Sequence, residues 1–364
     1  MSASDGMLRI LHTEASMGWG GQEIRILGEA QVFRAHGHDV RIATNEGSEI
    51  AANAARYGVP VTILPFTRRN LRSILAVRRF IVSWRPDVVN THSSMDSWLV
   101  ALARLGLKPR PRVIRTRHLS ARVPRNPASR WVYNRGADFV MTTGEAIVEA
   151  LAVDGFVPRA RLASVPTGID ADVFQPGSRN AARTLLGLPA DKVLFGIVAT
   201  LRSWKGHSDL LDALRRADDP RMHLVIVGDG PRQQAIERQI AELGLADCVT
   251  LAGRKTNVAD YFHAFDVFVL PSYANEGVPQ ALLQAMASGL PAISCPIGGI
   301  PECTQGLTSV TLVPPRDVDA LAKAMIRVTN EPPGEEALAA ARRRVIDDYS
   351  LETMYRRALR YFSG

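Results

Sequence analysis

The feature that most constrains the fold of this chain is a regular alternation of short apolar runs with segments of helical spacing. The runs are rich in β-branched residues, and ten or more residues separate each from the next. This alternation predicts parallel strands joined by helices on both faces of a sheet. The predicted strands are MLRILHT, DVRIAT, PVTIL, DVVNTH, RVIRTR, DFVMTT and LASVP in the first half, and VLFGIVAT, HLVIVG, CVTLA, DVFVL, PAIS and SVTLV in the second.

The length of the chain predicts two domains. Its 364 residues exceed the roughly 250–300 at which a single core stops growing. The natural break is FQPGSRN, residues 174–180, where Pro and Gly lie in a polar setting. We therefore expect two doubly wound α/β domains, residues 1–175 and 176–345, with a C-terminal helix at 346–364 that crosses back to the first domain.

The formal net charge of +8 is carried by the first half. The segment TRRNLRSILAVRRFIVSW is typical of a basic amphipathic helix, with an apolar face formed by Leu71, Ile74, Leu75, Ile81 and Trp84. Two interpretations are open, an anionic membrane surface as partner or a helix packed on its own sheet with a solvated basic face. Few aromatic residues lie among the arginines and no nucleic-acid fold signature appears, so no nucleic-acid partner is predicted.

The compartment is predicted from what the sequence lacks. No apolar run approaches the roughly 18–20 residues that span a bilayer. The start, MSASDGMLRI, shows no basic region followed by an apolar one. The three cysteines form no CxxC pair and are odd in number, which fits reduced thiols. We expect a cytoplasmic protein. Because its first half is basic, we also expect peripheral association at the inner face of the cytoplasmic membrane.

Polar residues follow the predicted strands of the second half. Arg202 and Lys205 come after VLFGIVAT, a Gly-Asp-Gly-Pro turn after HLVIVG, and Arg254 after CVTLA. In DVFVLPSYANEGVPQALLQAM, Glu276 lies between a buried strand and a helix whose free N–H groups make an anion site. Ligands of such sheets bind beyond the carboxyl ends of the strands. Cations and a helix N-terminus suit a diphosphate and the carboxylate suits hydroxyl groups, so the pattern indicates a nucleotide sugar.

The ordered set TLRSWKGH, VGDGP, EGVPQALLQAMASGLP and GGIPE resembles the retaining glycosyltransferases of family 4, which have the GT-B fold. GWGGQEIR, RTRHLS, DFVMTTGEAI and VPTGIDADVF extend the resemblance over essentially the whole chain. The chain is similar to bacterial enzymes that build lipopolysaccharide or other surface polysaccharides. The resemblance implies two Rossmann-like domains facing a central cleft, the N-terminal one binding the acceptor and the C-terminal one binding the nucleotide sugar.

The resemblance also implies residue roles. Lys205, with Arg202 nearby, would neutralise the donor diphosphate. Glu276 matches the acid that contacts the donor sugar, and His118 a histidine close to the reacting sugar. The implied donor-binding residues are Gly20, Gly21, Gly228, Gly230, Arg254, Gly277, Val278, Gln284, Gly299 and Glu302.

Two positions depart from the family pattern. Gln284 stands where a second acid usually binds the ribose, and Thr200 stands where an Arg is frequent. If the helix already includes Glu276, Gln284 follows it by a little over two turns. The family has no metal-binding Asp-x-Asp, and we assign neither DAD at 170–172 nor DVD at 317–319 to a metal, so no metal and no cofactor are expected.

The predicted function is a retaining, metal-independent glycosyltransferase of the hexosyltransferase type. Its partners would be a nucleoside diphosphate sugar and a glycan or lipid-linked acceptor. Two alternatives remain open: a nucleotide-sugar epimerase or hydrolase of the same fold, and a non-catalytic sugar or nucleic-acid binder.

Overall fold

A computed structural model describes residues 6–364, so MSASD at the start of the chain lies outside the described residues. The chain forms two units. The first runs to Gly168 and takes up Leu351–Gly364, and the second comprises Ile169–Ser350. The predicted fold class, two α/β units with parallel sheets, is confirmed.

The first unit is built on seven parallel strands. Each predicted run of the first half is a strand, and the spatial order is β3-β2-β1-β4-β5-β6-β7. β1 lies between β2 and β4, with Ile10 opposite both Val40 and Val88. The strands are β1 (Arg9–Glu14), β2 (Asp39–Thr44), β3 (Val61–Ile63), β4 (Val88–Thr91), β5 (Arg112–Arg117), β6 (Phe139–Thr142) and β7 (Leu162–Ser164).

Helices connect these strands and cover the sheet. α4 shows why a local sequence starts a helix: Ser93 and Asp96 form a reciprocal capping box at its first turn. The helices are α1 (Gly21–Ala35), α2 (Glu49–Asn53), α3 (Leu71–Trp84), α4 (Ser94–Ala103), α5 (Pro127–Trp131) and α6 (Glu145–Ala152).

The second unit has six parallel strands in the order β10-β9-β8-β11-β12-β13. All predicted runs of the second half are strands, and His207–Ala217 forms the helix predicted there. The elements are α7 (Arg179–Leu186), β8 (Val193–Val198), α8 (His207–Ala217), β9 (Met222–Val227), α9 (Gln233–Glu242), β10 (Val249–Gly253), α10 (Ala259–Ala264), β11 (Val267–Leu270), α11 (Gln280–Ala287), β12 (Ala292–Ser294), α12 (Ile300–Thr304), β13 (Val310–Leu312), α13 (Val318–Asn330) and α14 (Glu335–Tyr349).

The last helix, α15 (Leu351–Phe362), packs into the core of the first unit. Its Tyr355 and Phe362 rings lie 4.8 and 5.0 Å from the ring of Phe33 on α1. Burial of aromatic side chains of this size is a large apolar contribution. The end of the chain therefore completes the core of the unit in which the chain began.

The division between the units falls after Gly168, not after residue 175 as predicted. Ile169 N donates to Tyr349 O at 2.7 Å. The Phe174 ring contacts the ring of Phe262 edge-on at 5.7 Å. These contacts tie the connecting segment to the second unit, and the return to the first unit comes at Leu351 rather than at residue 346.

The predicted amphipathic helix is α3, but its faces differ from the prediction. Ile81 points into the core, whereas Val82, which the prediction left out, is exposed together with Leu71 and Leu75. Trp84 is half-buried under the guanidinium of Arg41. Among the described residues, no helix is long and apolar enough to cross a membrane.

Candidate active site

An ion pair joins two loops at the carboxyl edge of the second sheet. Lys205 Nζ lies 2.5 Å from Glu276 Oε1. Lys205 ends a short 3-10 turn after β8, and Glu276 lies in the loop after β11, the neighbouring strand. The Glu276 side chain is only 6% exposed and that of Lys205 20%. Because an ammonium has three donors, Lys205 can hold Glu276 and still donate to a ligand oxygen.

Close backbone contact holds this pair in place. Gly206, next to Lys205, has φ of +76°, and a Cβ there would lie 2.2 Å from Pro271 O after β11. Tyr273 N donates to Trp204 O at 2.9 Å across the same two loops. The loops that carry Lys205 and Glu276 are therefore fixed to each other through their backbones.

The glycine turn after β9 supports the Lys205 loop from the other side. Leu201 N donates to Asp229 O at 2.8 Å. Gly228 has φ of +146°, and a Cβ there would lie 2.0 Å from Ala199 O. A Cβ on Gly230 would lie 2.8 Å from Leu201 N and O. The predicted donor-binding glycines thus lie against the loop that leads to Lys205.

Arg254, after β10, lies at the same edge of the sheet. Its Nε atom is 3.6 Å from Asp229 Oδ2 in the glycine turn. Both side chains are about half exposed, so the pair contributes little to stability and leaves the guanidinium open to solvent.

Helix α11 begins at Gln280, four residues after Glu276. Glu276 therefore precedes the helix, so the helical spacing considered for Glu276 and Gln284 does not apply. Gly277 and the buried Val278 form the approach to the helix, whose first N–H groups have no partner within it. Gln284, 9% exposed, lies in the second turn.

The GGIPE segment follows β12 and packs on the Glu276 loop. Gly299 N donates to Gly277 O at 3.1 Å. A Cβ on Gly298 would lie 2.1 Å from Glu276 O. Glu302 lies on the short helix α12 and is partly exposed. The structure therefore brings Gly299 beside the Glu276 loop.

Arg202 is placed differently from Lys205. Its guanidinium lies 5.3 Å from the Trp204 ring, and it lines a cavity of about 210 Å³. Arg232, Arg316 and Tyr273 also line this cavity, with Arg316 stacked 4.0 Å from the Tyr273 ring. Arg202 thus lies with other arginines beside the Lys205–Glu276 pair and not in it.

In the first unit, the predicted glycines Gly20 and Gly21 form the start of α1. Glu14, at the end of β1, accepts hydrogen bonds from Ser16 N at 2.7 Å and from the side chain of Gln22. Burial and the nearby Asp96 raise the pKa of Glu14 to about 8. The sequence analysis missed this buried carboxyl group, although its position at a strand end was a usable signal.

His118 was predicted to lie close to the reacting sugar, and it directly follows β5. Its Nε2 lies 3.0 Å from His92 Nδ1, and His92 Nε2 lies 2.9 Å from His12 Nδ1. The sequence analysis did not include His12 or His92 in the site. His12 lies inside strand β1. The pattern of apolar and polar residues that predicts a strand does not show which of its residues take part in binding or catalysis.

The two Asp-x-Asp segments have structural partners. Asp170 accepts from the backbone N–H groups of Asp172 and Val173. Asp317 caps α13 through Ala320 N, and Asp319 pairs with a surface arginine. Over residues 6–364, no group of three or more His, Cys, Asp or Glu side chains could hold a metal ion.

Two family models match the chain, one in each unit. Residues 19–173 match Glycosyltransferase Family 4, and residues 192–331 match Glycosyl transferases group 1. A D-inositol 3-phosphate glycosyltransferase of Stackebrandtia nassauensis is 30% identical over 287 residues, which are 70% of this chain and 62% of that protein. The chain spans about half the length of other curated relatives that it matches.

Solved structures show the same fold. A glycosyltransferase from Rickettsia africae aligns with a TM-score of 0.87 at 20% identity and covers 98% of each chain. Anabaena HepE, solved with UDP and glucose, aligns with a TM-score of 0.85 at 19% identity, over 98% of this chain and 100% of that one. WaaG, a glycosyltransferase involved in lipopolysaccharide biosynthesis, gives 0.73 at 16% identity over the same shares. The fold is therefore GT-B.

The close contact at Gly206 predicts a stability difference between two glycines of the second unit. Gly206→Ala should destabilise the unit by about 2–4 kcal/mol, because the left-handed backbone costs roughly 1 kcal/mol and the added Cβ overpacks against Pro271. Gly187 has φ of +64° and open space where a Cβ would lie, so Gly187→Ala should cost only about 1 kcal/mol. Urea unfolding measures both. Equal losses would mean that the two loops are not in contact.

Proposed function

Because the chain carries a glycosyltransferase family 4 domain followed by a glycosyl transferases group 1 domain, we propose that it is a glycosyltransferase. It transfers a sugar from a nucleoside diphosphate donor to an acceptor hydroxyl group, with retention of anomeric configuration and without a metal ion. The observation that carries this proposal is the buried Lys205–Glu276 pair, 2.5 Å long, at the carboxyl edge of the second sheet. Such an edge is where ligands of doubly wound sheets bind.

The chemistry follows from the groups at this edge. The bond between the sugar C1 and the diphosphate oxygen breaks, and a bond from C1 to the acceptor oxygen forms on the same face. The proton of the acceptor hydroxyl passes to an oxygen of the departing diphosphate. Lys205 and the N-terminus of α11 stabilise the charge on that diphosphate, which is a large catalytic effect in such sites. Glu276 orients the sugar through its hydroxyl groups.

The acceptor is proposed to be a glycan or a lipid-linked glycan of the cell surface, lipopolysaccharide included. The motifs GWGGQE, RTRH and EGVPQALLQAM support this class, and so does the fold shared with WaaG. The 30% identity to a D-inositol 3-phosphate glycosyltransferase supports an inositol phosphate as a competing acceptor.

The proposed location is the cytoplasm, with peripheral association at the inner face of the cytoplasmic membrane.

Incubation with UDP-, GDP- and ADP-sugars tests the activity. We expect one donor to release its nucleoside diphosphate faster when a lipid-linked glycan or an inositol phosphate is added, and NMR of the product to show the anomeric configuration of the donor. Lys205→Ala should lower turnover by about 10²–10³. Lys323→Ala is the matched control, because Lys323 is an exposed lysine of α13 in the same unit.

Donor converted without any acceptor would indicate an epimerase or hydrolase instead. Ligand binding without turnover would indicate a non-catalytic binder.

Glu276 and Gln284 should differ in kinetic effect. Gln284→Ala removes a neutral hydrogen bond worth about 0.5–1.5 kcal/mol, so the donor KM should rise roughly two- to tenfold with kcat little changed. Glu276→Ala should strongly lower kcat, because it removes the group that orients the reacting sugar. Gln284→Glu should remain active, since the family usually carries the acid there. Steady-state kinetics of the three variants decides this. A Gln284→Ala enzyme as inactive as Glu276→Ala would contradict a pure binding role.

Helix α3 is the proposed membrane contact. Leu71, Leu75 and Val82 are exposed and lie within about 40° of one another around the axis at 100° per residue. Arg72 and Arg79 lie along one side of this stripe and are exposed as well. An apolar stripe bordered by cations suits the surface of an anionic bilayer.

The full chain should therefore bind vesicles that contain phosphatidylglycerol and be released by salt, because surface charges are screened. Replacing Leu71 and Leu75 with serine should weaken binding, since apolar area no longer enters the interface. Leu185→Ser is the control, because Leu185 of the second unit is 70% exposed and Leu71 69%. Equal binding to neutral and anionic vesicles in a sedimentation assay, or an equal effect of the control, would contradict the proposal.

A further inference from the structure

Three histidines lie in a row across the carboxyl edge of the first sheet. His12 is on β1, His92 follows β4 and His118 follows β5, and these are three neighbouring strands. The His12 Nδ1 and His92 Nε2 atoms are 2.9 Å apart, and the His92 Nδ1 and His118 Nε2 atoms are 3.0 Å apart. The three rings therefore share two hydrogen bonds in series.

The surroundings of all three rings favour the neutral form. Burial together with the positive charge of Arg25 lowers the pKa of His12 to about 3. Burial, followed by neighbouring positive groups, also holds the pKa values of His92 and His118 well below the ordinary value for histidine. Each ring consequently has one N–H group and one acceptor nitrogen.

Neutrality couples the three protonation sites. His92 uses both of its nitrogens, so it must accept one of the hydrogen bonds and donate the other. If His92 donates from Nδ1 to His118, then His12 donates from Nδ1 and all three rings carry their proton on Nδ1. If His92 donates from Nε2 to His12, all three rings carry their proton on Nε2. No mixed arrangement keeps both hydrogen bonds.

The inner end of the row selects between the two arrangements. His12 is fully buried beside the Phe362 ring, and its Nε2 has no hydrogen-bond partner within residues 6–364. A proton on Nε2 would leave a buried N–H donor without a partner, which is unfavourable. Buried acceptors without a partner are less rare in proteins than buried N–H donors without one. The arrangement with all protons on Nδ1 is therefore favoured.

The outer end of the row is His118, which is partly exposed. With Nε2 accepting from His92, its other nitrogen carries the proton. We infer that His12 and His92 are positioning residues that hold His118 protonated at Nδ1, so that His118 presents a hydrogen-bond donor and not a proton acceptor. The part that this donor plays in the reaction rests on the proposed function. The proton positions are a property of the protein alone.

Proton–nitrogen correlation spectra of the full chain with isotope-labelled histidine test the inference, because they distinguish the two neutral forms of each ring. We expect His12, His92 and His118 to be protonated at Nδ1. His38 of the same unit is an internal control: Leu8 N donates to its Nδ1 at 3.1 Å, so its proton must be on Nε2. Protonation of the three rings at Nε2 would overturn the inference.

Two substitutions of His12 test the role of the row in positioning. The amide nitrogen of His12→Asn takes the place of Nδ1 and can still donate to His92, whereas His12→Phe keeps a ring without a donor. We expect His118 to stay protonated at Nδ1 in His12→Asn and to show both forms in His12→Phe. The rate of nucleoside diphosphate release from the donor that the wild-type protein uses should fall about two- to tenfold in His12→Phe, as for one lost hydrogen bond, and less in His12→Asn.

The outcomes separate this inference from the proposed function. A His12→Phe protein with altered proton positions and an unchanged rate would overturn the positioning role while leaving the glycosyltransferase proposal intact. A wild-type protein that releases no nucleotide from any donor would count against the glycosyltransferase proposal, and the spectra would still confirm or overturn the proton positions.

Discussion

Every strand of both sheets runs parallel to its neighbours, and this constraint decides where chemistry can take place. Parallel strands need a crossover between them, so each strand is followed by a loop at the same edge of the sheet. Residues far apart in the chain meet there. Lys205 and Glu276 are 71 positions apart and form the pair at the edge of the second sheet, while His12, His92 and His118 meet at the edge of the first.

The loops that meet at one edge of a sheet depend on small residues and on buried polar groups. Gly206 and Gly228 let backbones approach to distances that a side chain would forbid. In the first unit, Arg25 and Glu29 form an ion pair with no exposed side-chain surface, and Glu29 also accepts from Asn90. A buried pair of this kind gains little stability over apolar residues but fixes one arrangement. Here it holds a positive charge near the row of histidines.

The candidate site was partly visible in the sequence. Lys205, Glu276 and His118 were selected because each follows an apolar run in a motif with family spacing. The pairing of Lys205 with Glu276 was not found, since each had been assigned to a different part of the donor. His12 was missed because it lies within β1, where its burial depends on a strand and a helix from distant parts of the chain.

The sequence by itself determined the strands, their parallel arrangement and the division into two α/β units, because these depend on local hydrophobic periodicity and on the turns between elements. It did not determine where α11 begins relative to Glu276, which face of α3 is buried, or that the last helix ends against His12. Those features depend on which side chains are packed together in the folded core. Periodicity specifies that a residue has an apolar neighbour, but only the tertiary structure specifies which neighbour it has.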